Sequence, residues 1–260
     1  MSRPDLRTGA RSSGWATAGP EARLPRFDRV QRAAHWANAV LFGILILTAL
    51  PLYFSSLERL VGRHVLIAQI HLWAGVALPV PIVVSLLGPW GARMREDVRR
   101  INHWTRSEVR WLRTLGRDAP AVVDKFNPGQ KLNAIFVAGA IVVMLGTGAV
   151  LEWFGLFPVS WRGGATLVHE VLAFVIVVVV VGHVAFALSH KESLRSMVRG
   201  WVTEEWARRH APAWLDEERR HAPAWLDEER GTGDRPAGET RAGDAPAGEM
   251  RGRRARGALW

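Results

Sequence analysis

Four stretches of this chain contain no Asp, Glu, Lys or Arg, and each is long enough to cross a bilayer. Arg32 to Glu58 encloses 25 such residues, Arg63 to Arg93 encloses 29, Lys131 to Glu152 encloses 20, and Glu170 to Lys191 encloses 20. A spanning helix needs about 20 mostly apolar residues, because it must satisfy its own backbone polar groups away from water. A soluble domain does not carry four such runs. The expected fold class is an all-α membrane protein, a four-transmembrane-helix bundle. Its spans are expected at about 34–54, 65–88, 131–154 and 165–188, with cytoplasmic amphipathic helices and disordered tails outside them.

The charge confirms the arrangement by its location rather than its sum. The 260 residues hold 34 Lys and Arg against 24 Asp and Glu, a formal net charge of +10. Residues 1–33 carry seven of the basic residues, 89–131 carry ten and 189–260 carry fourteen. The two short connections carry three, Arg59, Arg63 and Arg162. Alternating rich and poor loops are the positive-inside pattern of an even number of spans. This places both termini and the 89–131 loop in the cytoplasm, and the chain in a bacterial inner (plasma) membrane as a multi-pass protein in contact with lipid. A basic surface for nucleic acid explains neither the alternation nor the apolar runs, so no nucleic-acid partner is expected.

Composition divides the chain into three. Residues 1–25 are polar, lack an apolar signal core and read as a disordered cytoplasmic tail. Residues 26–205 hold the membrane domain. Residues 206–260 read as a cytoplasmic tail, partly disordered, in which "RRHAPAWLDEE" occurs at 208–218 and again at 219–229. Two copies are too few for a solenoid, so the repeat reads as a local duplication at the surface. Pro51 marks a kink or helix end in the first span, and Pro79 and Pro81 interrupt the second. Trp36, Trp90, Trp153 and Trp161 fall at interface depth. Val98, Ile101, Trp104, Val109, Trp111, Leu112 and Leu115 make an amphipathic segment, and 191–209 reads as a basic surface helix.

The chain has no cysteine. It therefore has no disulfide, no covalent c-type haem and no thiolate for an iron–sulfur cluster. Any redox cofactor must be held by histidine. Of nine histidines, four lie within or at the ends of the spans: His35, His71, His169 and His183. Ionisable side chains in a membrane are costly and mark function by default. The topology puts His35 and His183 at the cytoplasmic end, and His71 and His169 toward the outer end. His169 and His183 are fourteen residues apart, roughly 21 Å and just short of four turns, so they point to nearly the same face. Two histidine pairs stacked across one bundle suit two non-covalent b-type haems, with His35 and His183 on the inner iron and His71 and His169 on the outer. Gly43, Gly75, Gly146, Gly148 and Gly182 offer room for a macrocycle or for close helix packing. Glu170 sits at the outer interface, pairs with Arg162, or bonds to a ligand; the sequence leaves all three open.

In "FDRVQRAAHW", "IAQIHLWAG", "KFNPGQK", "LVHEVLAFVIVVVVVGH" and "WARRHAPAW", spread over about 26–215, the chain resembles the cytochrome b (gamma) subunit of respiratory formate dehydrogenase. The resemblance implies a di-haem membrane anchor for an iron–sulfur (beta) subunit and a molybdenum or tungsten catalytic (alpha) subunit. It implies electron transfer to membrane quinone near the inner haem, the formate chemistry lying in a partner subunit and no catalytic residue in this one. Within "KFNPGQK", Asn127, the Gly129 amide and Gln130 are the candidate quinone donors. Asn127, Pro128 and Gln130 equally fit a helix start, with an N-cap, a first-turn proline and a capping-box partner. The family commonly has Tyr where this chain has Phe126, and Ala where it has Pro128. The alternative partners are a nickel–iron hydrogenase or another molybdenum oxidoreductase. Further alternatives are a free-standing quinol oxidase and a haem-free transporter.

Overall fold

The computed structural model describes residues 22–114, 123–153 and 155–221. Four helical stretches within them are long and apolar enough to cross a membrane: Arg29–Tyr53, His64–Leu86, Pro128–Glu152 and Val159–Ser189. They overlap the four expected spans. The first is α1 (Arg29–Tyr53), which runs two residues beyond Pro51 before it ends. A short helix, α2 (Ser55–Val61), follows and closes on Gly62 at φ +64°. The second stretch is broken into α3 (His64–Ala77) and α4 (Val80–Leu86). The break falls at Leu78–Pro79, because Pro79 and Pro81 have no N–H to continue the ladder. The third and fourth are α7 (Pro128–Glu152) and α8 (Val159–Ser189). Between the second and the third in sequence lie α5 (Ala92–Asn102) and α6 (Arg106–Arg113), the amphipathic segment resolved as two helices. Leu115 lies outside the described residues.

Three helices start on the same device. Asp28 Oδ1 accepts from the Gln31 amide at 2.8 Å, and Gln31 Oε1 accepts from the Asp28 amide at 2.8 Å. Thr105 with Glu108 and Asn127 with Gln130 repeat the reciprocal pair. Such a cap stabilises a helix start by about 1 kcal/mol and fixes where it begins.

The spans are arranged as two helix pairs. α1 packs along α3 and α4, α7 packs along α8, and α3 touches α7 across the middle. Most large apolar side chains on these helices are exposed, Leu47, Phe174 and Val181 among them. Lipid, not protein, is the solvent such surfaces suit. Trp36, Trp90, Trp153 and Trp161 are exposed near the span ends, where indole rings favour the headgroup level.

One end of the bundle carries a folded cap. Its strands are β1 (Arg23–Pro25) and β2 (Trp201–Thr203), antiparallel, with Leu24 opposite Val202. Its helices are α9 (Lys191–Arg199), α10 (Glu204–His210) and α11 (Pro212–His221). Leu24, Val202, Ala207, Ala211, Trp214 and Leu215 form its core. Two sequence expectations change here. Arg23–Pro25, expected in a disordered tail, are a strand, because Val202 on β2 gives Leu24 an apolar partner 178 residues along the chain. The first repeat copy is not a solvated surface segment, since Trp214 and Leu215 are each 2% exposed. All but the first three residues of the second copy lie outside the described residues, as do residues 1–21 and 222–260.

Gly200 makes the turn into β2 at φ +90°, and a Cβ there would stand 2.7 Å from the Phe27 carbonyl oxygen. The carbonyl oxygen of Gly200 in turn accepts from the Arg26 and Phe27 amides at 2.8 and 3.1 Å. The position requires glycine on both counts.

A buried ion pair joins α5 to the segment that leads into α7. Lys125 Nζ lies 2.6 and 2.8 Å from the Asp97 carboxylate oxygens, and Gln31 Nε2 donates to the same group at 2.5 Å. Burial pushes the Asp97 carboxyl up and the Lys125 ammonium down, each partly offset by the other's charge. Burial also pushes Arg26 down to about 10, against the pull of Asp97. Arg26 donates to the Lys125 carbonyl at 2.9 Å, and Arg100 reaches Glu96, Asp124 and Glu217 at 2.8 Å each.

Candidate haem centres

The four span histidines meet as two pairs, each bridging the gap between the helix pairs. His35 on α1 faces His183 on α8, with ring centroids 6.2 Å apart. His71 on α3 faces His169 on α8, with centroids 6.5 Å apart. Metal–imidazole bonds run about 2 Å, and a ring nitrogen lies roughly 1.2 Å from its centroid. Two imidazoles on opposite sides of one iron therefore have centroids about 6.4 Å apart. Both pairs stand close to that spacing. Among the described residues no cluster of three or more His, Cys, Asp or Glu could hold a metal. A pair of imidazoles alone suits a metal whose remaining ligands come from a macrocycle.

The His71 and His169 rings are further held by hydroxyls that sequence reasoning missed. Thr48 Oγ1 on α1 lies 2.9 Å from His71 Nδ1, and Thr147 Oγ1 on α7 lies 2.9 Å from His169 Nδ1. Each hydroxyl has one proton, and each has a close carbonyl for it: Ile44 O at 2.7 Å and Val143 O at 2.8 Å. The hydroxyl then accepts from the imidazole, so Nδ1 carries the hydrogen and Nε2 keeps its lone pair for iron. The signal was faint: each Thr is an isolated hydroxyl in an apolar run, 23 or 22 residues from its histidine.

A Cβ on Gly148 would lie 3.5 Å from His169 Cε1, and Cβ atoms on Gly43, Gly146 or Gly182 would meet nothing within 4 Å. Close helix packing therefore does not account for the last three.

Asn127, Gly129 and Gln130 open α7, and the expected cap is formed. Asn127 Oδ1 accepts from the Gln130 amide at 2.8 Å, and Gln130 Oε1 accepts from the Asn127 amide at 3.1 Å. Each side-chain oxygen is used, and each side-chain NH2 is left as a donor. The Gly129 amide, in the first helical turn, has no intrahelical acceptor either.

The remaining residues fall outside the pairs. His64 is exposed and meets Glu58 at 3.0 Å. His190 stacks on Phe186 and His210 on Trp206. Glu170 is exposed.

Known proteins resemble this chain across the same region. The prokaryotic cytochrome b561 family matches residues 26–200, which include all four histidines. A formate dehydrogenase cytochrome b556 subunit of Haemophilus influenzae is 27% identical over 210 residues, 76% of this chain and 84% of the relative. The formate dehydrogenase cytochrome b556(fdo) subunit of Escherichia coli K12 is 26% identical over 206 residues, 75% and 92% of the two chains. The nitrate-inducible formate dehydrogenase cytochrome b556(Fdn) subunit of the same organism is 24% identical over 208 residues, 75% and 91%. A four-span membrane chain whose span histidines meet in pairs, matched through that region, belongs to the prokaryotic cytochrome b561 family.

Proposed function

We propose that this chain is the di-haem cytochrome b subunit of a formate dehydrogenase, passing electrons from an iron–sulfur partner to membrane quinone. The observation that carries the reading is the pair of histidine couples on one helix, His169 and His183, each opposite a partner at 6.5 or 6.2 Å. The relatives named as formate dehydrogenase subunits support the choice of complex.

When bound, b-type haem would supply one-electron transfer. His35 with His183 and His71 with His169 would hold it through their imidazole nitrogens. Thr48 and Thr147 orient the second pair. Asn127, Gly129 and Gln130 present N–H donors at the cap end of α7, where a quinone carbonyl gains hydrogen bonds. The basic cap and loops face the cytoplasm in this reading, with both termini on that side and the complex in the inner membrane. Moving electrons inward opposes a potential negative inside by about 2.3 kcal/mol per charge per 100 mV. Proton uptake by quinone from the cytoplasm then conserves that work. In this reading a molybdenum or tungsten subunit carries the formate chemistry.

The test is a reduced-minus-oxidised visible spectrum of the purified membrane protein, together with the identity of the subunits that purify with it. A b-type band and a co-purifying formate-oxidising subunit are expected. Absence of the band ends the haem reading. A co-purifying hydrogenase or other oxidoreductase keeps the haem and replaces the partner.

A further inference from the structure

The two histidine pairs differ in a way that bears on how easily each centre is reduced. Both rings of the His71–His169 pair have Nδ1 2.9 Å from a threonine hydroxyl that commits its own proton to a backbone carbonyl and therefore accepts from the ring. Neither ring of the His35–His183 pair has a hydrogen-bond partner among the described residues. The two threonines are placed alike. Each sits on the helix packed beside the one bearing its histidine, α1 beside α3 and α7 beside α8. Each anchors its own proton to a carbonyl four residues back, at 2.7 and 2.8 Å. A back-bonded hydroxyl has only lone pairs left to offer, so it acts as an acceptor of fixed direction.

We infer that Thr48 and Thr147 are positioning residues that lower the reduction potential of the His71–His169 haem below that of the His35–His183 haem. The inference rests on the haem reading above and adds to it a built-in direction. An acceptor on Nδ1–H draws the proton outward and makes Nε2 the stronger donor to iron. A stronger axial donor stabilises the ferric over the ferrous state, which makes the centre harder to reduce. With two such acceptors on one haem and none among the described residues on the other, transfer from the His71–His169 centre to the His35–His183 centre runs downhill. The hydroxyls also fix each ring about its χ2 angle, which holds both Nε2 lone pairs toward the same point.

The experiment is a spectroelectrochemical titration of the purified full-length protein, with Thr48→Val, Thr147→Val, Thr48→Ser and Thr147→Ser beside the wild type. The haem lost in His71→Ala identifies the His71–His169 signal. Valine keeps the shape of threonine without the acceptor, and serine keeps the acceptor without the methyl. Each valine variant is expected to raise the midpoint of the His71–His169 haem. The expected size is on the order of tenfold in its ferric-to-ferrous ratio, about 59 mV for one electron, with the other haem unmoved. Each serine variant should titrate near the wild type. Unmoved midpoints in the valine variants, or a shift confined to the His35–His183 haem, would overturn the inference while leaving the haem reading intact. If a valine variant does not retain the haem, the wild-type order decides: a lower His71–His169 midpoint supports the inference and a higher one overturns it. A wild type without b-type haem would overturn both at once.

Discussion

Lys131 and Glu108 form an ion pair with Nζ and Oε1 2.7 Å apart, and their side chains are only 2% and 1% exposed. Lys131 also donates to the His103 carbonyl at 2.8 Å. The pair fastens α6 to the first turn of α7, the helix that carries Asn127, Gly129 and Gln130. Breaking one half of a buried pair strands the other charge, which costs about 3–5 kcal/mol. Glu108→Gln and Lys131→Met are each expected to lower the thermal midpoint sharply. The double variant Glu108→Leu with Lys131→Met should recover much of the loss, because no charge is then stranded. Thermal unfolding of the three in detergent or nanodiscs checks this, and additive losses would contradict it.

The repeat makes a separate prediction about the cap. Trp214 is 2% exposed in its core, so Trp214→Ala should cost roughly 3–5 kcal/mol through the cavity left behind. Deleting 208–218 or 219–229 yields one and the same polypeptide, because the copies are identical and adjacent. The remaining copy follows Ala207 directly and supplies the same Trp and Leu. Haem content and thermal midpoint are expected to stay near wild type in that deletion and to fall when both copies are removed. A fall with one copy removed would show that the second copy has a role of its own.

The spans and the histidine pairing were legible in the sequence for one reason. A bilayer enforces a long charge-free run per span, and the basic loops give each span a direction, so the depth of every span histidine follows. His35 opposite His183 and His71 opposite His169 needed no contact information beyond that. The cap was not legible, because Leu24 and Val202 are far apart in sequence and each strand is three residues long. Such strands are too short to show an alternating pattern. Trp214 gave no warning either, since a repeated polar segment reads as surface until its partner is known. Thr48 and Thr147 were hidden for another reason. Threonine in a spanning helix commonly bonds back to its own backbone, and only the packing of neighbouring helices shows a second partner.

Asn127 has a cap and a proposed quinone contact, and two substitutions separate them. Asn127→Ala removes the cap oxygen and should cost about 1 kcal/mol of stability together with quinone reduction. Asn127→Asp keeps the cap acceptor and loses the side-chain NH2 donor. It should hold the thermal midpoint while lowering quinone reduction several-fold. Steady-state quinone reduction beside a thermal melt reads both quantities. Unchanged turnover in the aspartate variant would leave Asn127 as a cap alone.

The proposed topology rests on 31 Lys and Arg on one side against three on the other. Reporter fusions after residues 60 and 163 should report the periplasm, and fusions after 115 and 210 the cytoplasm. The opposite set would invert the assignment of inner and outer haems.

The central claim is that two haems are held by His35 with His183 and by His71 with His169. Its most direct test is a redox titration of the four single alanine variants, followed by low-spin haem absorbance and paramagnetic resonance. His35→Ala and His183→Ala should lose one and the same haem signal. His71→Ala and His169→Ala should lose the other, with the first retained. If His35→Ala and His71→Ala instead abolished the same signal, the pairing described here would be wrong.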